Sequence, residues 1–230
     1  MQGSNLYIAS NQLYTAYDAT PDSVDPRLEI PCLPGHGYHT FFQALKTCTG
    51  LRLTDIEKQQ LMDGLQYRRL RRRQYFLQEG DVCRHLGFIL RGAARMYAVN
   101  AKGQETILCF DTEKSWLGDR ESFHTGRPSG YHIEALEQME ILSGSRQQIG
   151  ALCAAIPAFR AFLEHDHHCQ LSRSQLRLHT ALGMSAEERY LDLLTNWPAY
   201  VKRFSQNMIA CYLGIKPETL SRIRKSWQGR

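Results

Sequence analysis

SQNMIACYLGIKPETLSRIRK, residues 205–225, reads as two short helices around a tight turn. Ile209, Ala210 and Leu213 give the first helix one inner face. Gly214 supplies the left-handed position that ends it. Ile215 plugs the turn, and Lys216-Pro217-Glu218 opens the second helix, with proline in the first turn where its missing N–H costs least. Leu220 and Ile223, three residues apart, turn inward. Glu218, Thr219, Ser221, Arg222, Arg224 and Lys225 are left facing outward. Such a helix suits the major groove of DNA. Arg222 has the donor fork for guanine O6 and N7, and Glu218 can accept from cytosine N4. Lys202, Arg203, Arg224 and Lys225 are placed for phosphates, Gln206 can add a hydrogen bond to one, and Lys216 completes the cationic rim. The competing reading is a helical hairpin with a basic surface.

Charge favours the first reading. The 230 residues carry 28 Lys and Arg against 23 Asp and Glu, a net +5. From Val201 onward seven cations meet the single anion Glu218, so the remainder is close to neutral. A basic terminus on a neutral body is the footprint of a protein that docks on a polyanion.

Working towards the amino terminus, Ser185-Ala186-Glu187-Glu188 is a capping-box start for a helix that Pro198 ends, and Gly183 closes a long helix begun near Pro157. Residues 67–143 differ in kind. Short apolar and aromatic runs (Arg73–Leu77, Leu86–Arg91, Ala93–Val99, Glu105–Phe110, Tyr131–Ala135, Met139–Ser143) alternate with turn residues, the pattern of a compact β barrel, roll or sandwich. Ahead of them, helix spacing runs from Thr40 to about Leu65. A start signal at Thr54–Glu57 puts Ile56, Leu61, Met62 and Leu65 on one apolar face. Residues 1–39, with four prolines and no sustained period, read as a flexible arm.

Other chemistries find little support. Seven cysteines (Cys32, Cys48, Cys83, Cys109, Cys153, Cys169, Cys211) show no metal or redox spacing, and the expectation is reduced thiols in a cytoplasmic protein. No run is long and apolar enough for a membrane span, and no secretory signal is visible. His165-Asp166-His167-His168 lacks the further ligands a metal site needs, so no metal is expected. Ser122 and His132 have neither a nucleophile elbow nor an orienting acid, and no phosphate-cradling loop is present; the expectation is a non-enzyme. The run Arg68-Arg69-Leu70-Arg71-Arg72-Arg73 reads as a solvated basic edge.

The order of parts resembles the family of the cyclic-AMP receptor protein and FNR over roughly residues 40–225. The carrying motifs are Tyr75-Phe76-Leu77-Gln78-Glu79-Gly80-Asp81, Leu86-Gly87-Phe88-Ile89-Leu90-Arg91-Gly92, Gly103-Gln104-Glu105 and the terminal Glu218-Thr219-Leu220-Ser221-Arg222-Ile223-Arg224. The resemblance implies an α+β chain: an arm (1–39), a β-roll sensor of the cyclic-nucleotide-binding type (40–150), a dimerisation helix (151–183) and a helix-turn-helix domain (184–230). It implies double-stranded DNA, a second copy of the chain and RNA polymerase as partners. It assigns base-reading roles to Glu218 and Arg222. Trp116, Asp119, Arg120, Ser122, Arg127 and Ser129 become the candidate effector pocket, with Asp119 able to accept from a ribose hydroxyl. Two departures stand out. Where the family's phosphate-clamping arginine is expected, the chain has Ser129-Gly130, which speaks against cyclic AMP; the effector is left open and no cofactor is expected. The β-hairpin wing that usually follows the recognition helix is expected to be missing. The reading is a sequence-specific transcription regulator whose paired recognition helices enter major grooves about 34 Å apart. The alternative is a ligand-binding module that acts on a protein partner without touching DNA.

Overall fold

The computed structural model describes residues 34–228. Two helices, α1 (Pro34–Thr49) and α2 (Asp55–Gly64), precede eight short strands: β1 (Gln66–Leu70), β2 (Tyr75–Leu77), β3 (His85–Arg91), β4 (Ala94–Val99), β5 (Glu105–Asp111), β6 (Trp116–Leu117), β7 (His132–Ala135) and β8 (Met139–Ser145). Between β6 and β7 lies α3 (Arg120–Thr125). After β8 come α4 (Arg146–Ala155), the 27-residue α5 (Pro157–Gly183), α6 (Ala186–Asn196), α7 (Pro198–Arg203), α8 (Gln206–Leu213) and α9 (Pro217–Gln228). The strands form two four-stranded antiparallel sheets, ordered β1-β8-β3-β6 and β2-β7-β4-β5. This is the β-roll followed by a helical region that the sequence predicts.

Local chemistry explains the elements. β3 is covered on both faces, which is why Leu86-Gly87-Phe88-Ile89 are all buried and apolar instead of alternating. β1 is an edge strand with Arg68 and Arg69 exposed, and such charges discourage pairing with another chain. Gly92 turns the chain from β3 to β4 at φ +101°, where a Cβ would sit 2.8 Å from the carbonyl oxygen of Gln138, so only glycine fits. Capping boxes start α2, α4 and α6 at Thr54, Ser145 and Ser185.

Two cores result. In the first, α1 and α5 close over the β1-β8-β3-β6 sheet through Phe41, Phe88, Trp116, Phe159 and Phe162, with Phe41 and Phe88 in edge contact at 5.0 Å. In the second, the terminal helices pack on the other sheet. Ala93, Tyr97, Ile107 and Phe110 meet Tyr190, Tyr200, Phe204, Ile209 and Leu213, and Phe110 stacks on Phe204 at 4.1 Å. Burying each such large side chain contributes about 1.5–3 kcal/mol.

Several elements differ from the sequence expectation. The expected arm runs to residue 39, but residues 34–39 belong to α1, and Tyr38 is buried with its hydroxyl donating to the carbonyl of Leu65; the rest of the arm lies outside the described residues. Ile56 is 74 % exposed instead of joining the apolar face, because α2 presents only one stripe, led by Leu61, to the core. The basic run is half strand, since Gln66–Leu70 pairs with β8. The helix α6 ends at Asn196, just before Pro198 as expected, but Pro198 also starts α7 at its first position. Helices α3 and α4 and strand β6 are additions.

Candidate nucleic-acid interface and sensor interior

Ser205 caps α8 by accepting from the Met208 N–H. Gly214 ends the helix in the left-handed region at φ 66°, and the N–H of Ile215 closes back on the carbonyl of Ala210. α9 then starts with Pro217. Leu220 is buried against Ile209, Ala210 and Leu213, which fixes the roll of α9 about its axis. With Leu220 inward, Glu218 and Arg222 are exposed, as are Gln206, Lys216 and Lys225, while Thr219, Ser221 and Arg224 are half-buried. Gln206 and Arg224 flank one shallow pit between α8 and α9. The end of α9 is tied down by Trp227, whose indole N–H donates to Glu187 at 2.9 Å.

Arg203 is a correction. Expected to face phosphate, it is bound by the chain's own sensor: its guanidinium bonds both oxygens of Glu113 at 2.7 Å and also the Glu137 carboxylate. Burial alone would raise the pKa of Glu113; the bonds from Arg203 reverse this and leave it lowered. α5 makes the same joint from the other side. Arg173 donates to the Tyr200 hydroxyl at 2.8 Å and lies over the Trp197 ring, and Tyr200 in turn donates to the Phe110 carbonyl. Arg177 donates to the carbonyls of Ile107 and Tyr212 and stacks over the Tyr212 ring. The sequence does not point to these arginines on α5 and α7 as a joint. Arginine density alone does not mark one, because each partner lies some 30–90 residues away.

In the sensor, the six candidate pocket residues divide. Asp119 caps α3, accepting from the N–H groups of Glu121 and Ser122, and its other oxygen accepts from Ser129 Oγ at 2.7 Å. Ser122 accepts from the Cys83 N–H and donates to the Arg127 carbonyl. Asp119, Ser122 and Ser129 are buried and satisfy one another. Arg120 turns to α5 and pairs with the buried Asp166 at 2.5 Å. Trp116 is fully buried in the aromatic core and the Arg127 side chain is exposed, so neither stands with the others around an open space. The serine in place of an arginine therefore closes the segment on itself: the Asp119 carboxylate is bonded to Ser129. The Arg120–Asp166 pair also splits the histidine cluster, drawing Asp166 inward while His165 lies 3.4 Å from Cys169 Sγ.

Asp111 and Cys109 on β5 join this buried charge. Asp111 has its pKa pushed up to about 6 by burial, against the opposing pull of Arg173 and reinforced by Asp166. Between about pH 4 and 6 its native form thus holds a proton that the unfolded chain, titrating near the ordinary carboxylate value of 3.8, has already released. Stability must fall as pH rises from about 4 to about 6, by on the order of 2–3 kcal/mol from this group. Asp111→Asn is expected to remove that component, so the urea midpoint of the variant should gain on that of the parent as pH rises across this window. A constant gap from pH 4 to 7 would show that Asp111 is ionised throughout.

Among the described residues no helix is long and apolar enough to cross a membrane, and the six described cysteines are free. Residues 67–155 match the cyclic nucleotide-binding domain family. No curated protein matches the chain. Solved structures do. The c-di-GMP responsive global regulator CLP of Xanthomonas campestris superposes with a TM-score of 0.62 at 16% identity, covering 76% of this chain and 92% of that one. FixK2 from Bradyrhizobium japonicum gives 0.60 at 17% identity over 72% and 85%. A structure described as a transcriptional regulator of the crp/fnr family, from Eubacterium rectale, gives 0.60 at 14% over 76% and 84%. Residues 67–155 thus match the cyclic nucleotide-binding domain family, and the chain has the fold of the CRP/FNR transcription regulators.

Proposed function

We propose that the protein is a sequence-specific DNA-binding transcription regulator that reads base edges with α9. The observation that carries this is the roll of α9: burial of Leu220 leaves Glu218 and Arg222 exposed on one helical face, with Lys216 and Lys225 at its ends. Base readers at the start of a second helix and cations beside them match the division of labour at DNA, where base contacts specify and phosphate contacts position. The resemblance of the fold to regulators supports the same reading. Selection of bound duplexes from a random pool tests it, and a two-fold symmetric consensus is the expected result. A pool that shows no enrichment over its starting composition overturns it.

The active unit on this reading is a homodimer joined along α5. Leu171, Leu178 and Leu182 are 51%, 60% and 80% exposed, and with Gln175 they fall on one stripe at steps of four, three and four. That stripe has the spacing of a coiled-coil seam, which supports pairing with a second copy. Leu178→Glu places a charge in the seam and is expected to give a monomer by sedimentation at concentrations where the parent is a dimer. Cyclic AMP is not the effector on this reading, because the Asp119 carboxylate is bonded to Ser129 and no clamping arginine stands there.

A further inference from the structure

A recess of about 370 Å3 opens in the β-roll, lined by residues outside the Gly118–Gly130 segment. Its volume lies within the range of small-molecule sites. Arg68 of β1, Arg84 of the β2–β3 connection and His85 at the head of β3 converge on it. Tyr75, Phe76, Leu77, Val82 and Cys83 supply apolar wall, and Gln78 and the Asp81 carboxylate complete the polar lining.

The cations are the unusual part. Arg95 and Arg120, the partly covered arginines of the roll, are matched by Glu105 and Glu134 and by Asp166, whereas Arg68, Arg84 and His85 reach the recess from exposed positions. Arg68 and Arg84 have no ion pair among the described residues. They also work against their neighbour. Burial, then Arg68 and Arg84, lower the pKa of the His85 imidazole. Two guanidiniums and an imidazole around one recess with a single carboxylate among them make a site of positive potential. Guanidinium forks match the oxygens of phosphate, and the apolar wall leaves room for an organic body.

We propose that this recess binds a small organic phosphate, its phosphoryl group held by Arg68 and Arg84 beside His85 and its apolar or aromatic part against Phe76 and Val82. The site is independent of whether α9 reads DNA. Its lining is joined to the Asp119–Ser129 segment: the Cys83 N–H donates to Ser122, the Ser129 N–H to the Asp81 carbonyl, and the neighbouring Gly80 N–H to the Ser129 carbonyl. An occupied recess would thus hold the β2–β3 connection and the Asp119–Ser129 segment in one arrangement.

The probe is phenyl phosphate, titrated into the full chain with labelled histidine imidazoles observed by NMR and His85 assigned by His85→Gln. A saturable shift of the His85 resonance towards the protonated form is expected, since the incoming anion offsets Arg68 and Arg84. Arg68→Gln and Arg84→Gln, each checked for an unchanged melting curve, should weaken it about ten- to a hundredfold, the effect of losing a charged hydrogen bond. No saturable shift at millimolar probe overturns the proposal, as does a shift that survives both substitutions. Benzoate binding as tightly as phenyl phosphate would overturn the assignment of a phosphate ligand.

Discussion

Replacing Arg222 by alanine is expected to erase sequence preference while leaving the fold and the salt-dependent grip on DNA largely in place. Arg222 is exposed, so its loss strands no buried group, and the second core depends on Leu220 and Phe204 instead. A bidentate arginine–guanine contact discriminates by about 1–3 kcal/mol, which is roughly five- to 150-fold at each half-site. A dimer loses it twice. Non-specific affinity rests on phosphate neutralisation by Lys216, Arg224 and Lys225, so the slope of log affinity against log salt should barely change. Competition between the selected operator and a scrambled duplex measures both quantities. If Arg222→Ala discriminates as well as the parent, α9 is not the reading helix. The reading of a module that regulates a protein partner then gains the field.

The second large effect is expected at the joint between α3 and α5. Asp166→Ala leaves the largely covered Arg120 guanidinium without its counter-charge, and Arg120 Nε already has no hydrogen-bond partner among the described residues. Breaking a buried pair from one side costs about 3–5 kcal/mol. For a chain of this size that lowers the melting temperature by roughly 6–20 °C. The reverse substitution, Arg120→Ala, should cost less. Burial already raises the Asp166 pKa with Arg120 pulling against it, so without Arg120 the carboxyl can take up a proton and become neutral, which arginine cannot do. The asymmetry should grow as pH is lowered from 7 to 5. Equal losses at both pH values would mean that the pair is well hydrated and that its burial carries no weight.

The sequence alone determined what is local. Gly214 in the left-handed region, Ser205 and Pro217 at the starts of their helices and the buried Leu220 follow from rules reaching three or four residues, so the roll of α9 is legible in consecutive residues. So are the main strands of the roll and the capping boxes at Thr54 and Ser185, because alternation and cap chemistry are written over the same short reach. What only the tertiary structure decided are pairings across long separations. Arg203 faces Glu113 across 90 residues, Arg120 faces Asp166 across 46, and Ser129 closes on Asp119. A charge carries no local mark of where its partner lies, so an arginine bound for a carboxylate reads the same as one bound for phosphate. The edge strand β1 is hidden for a related reason: its cations mask its period, and β8, more than 60 residues away, holds it in the sheet.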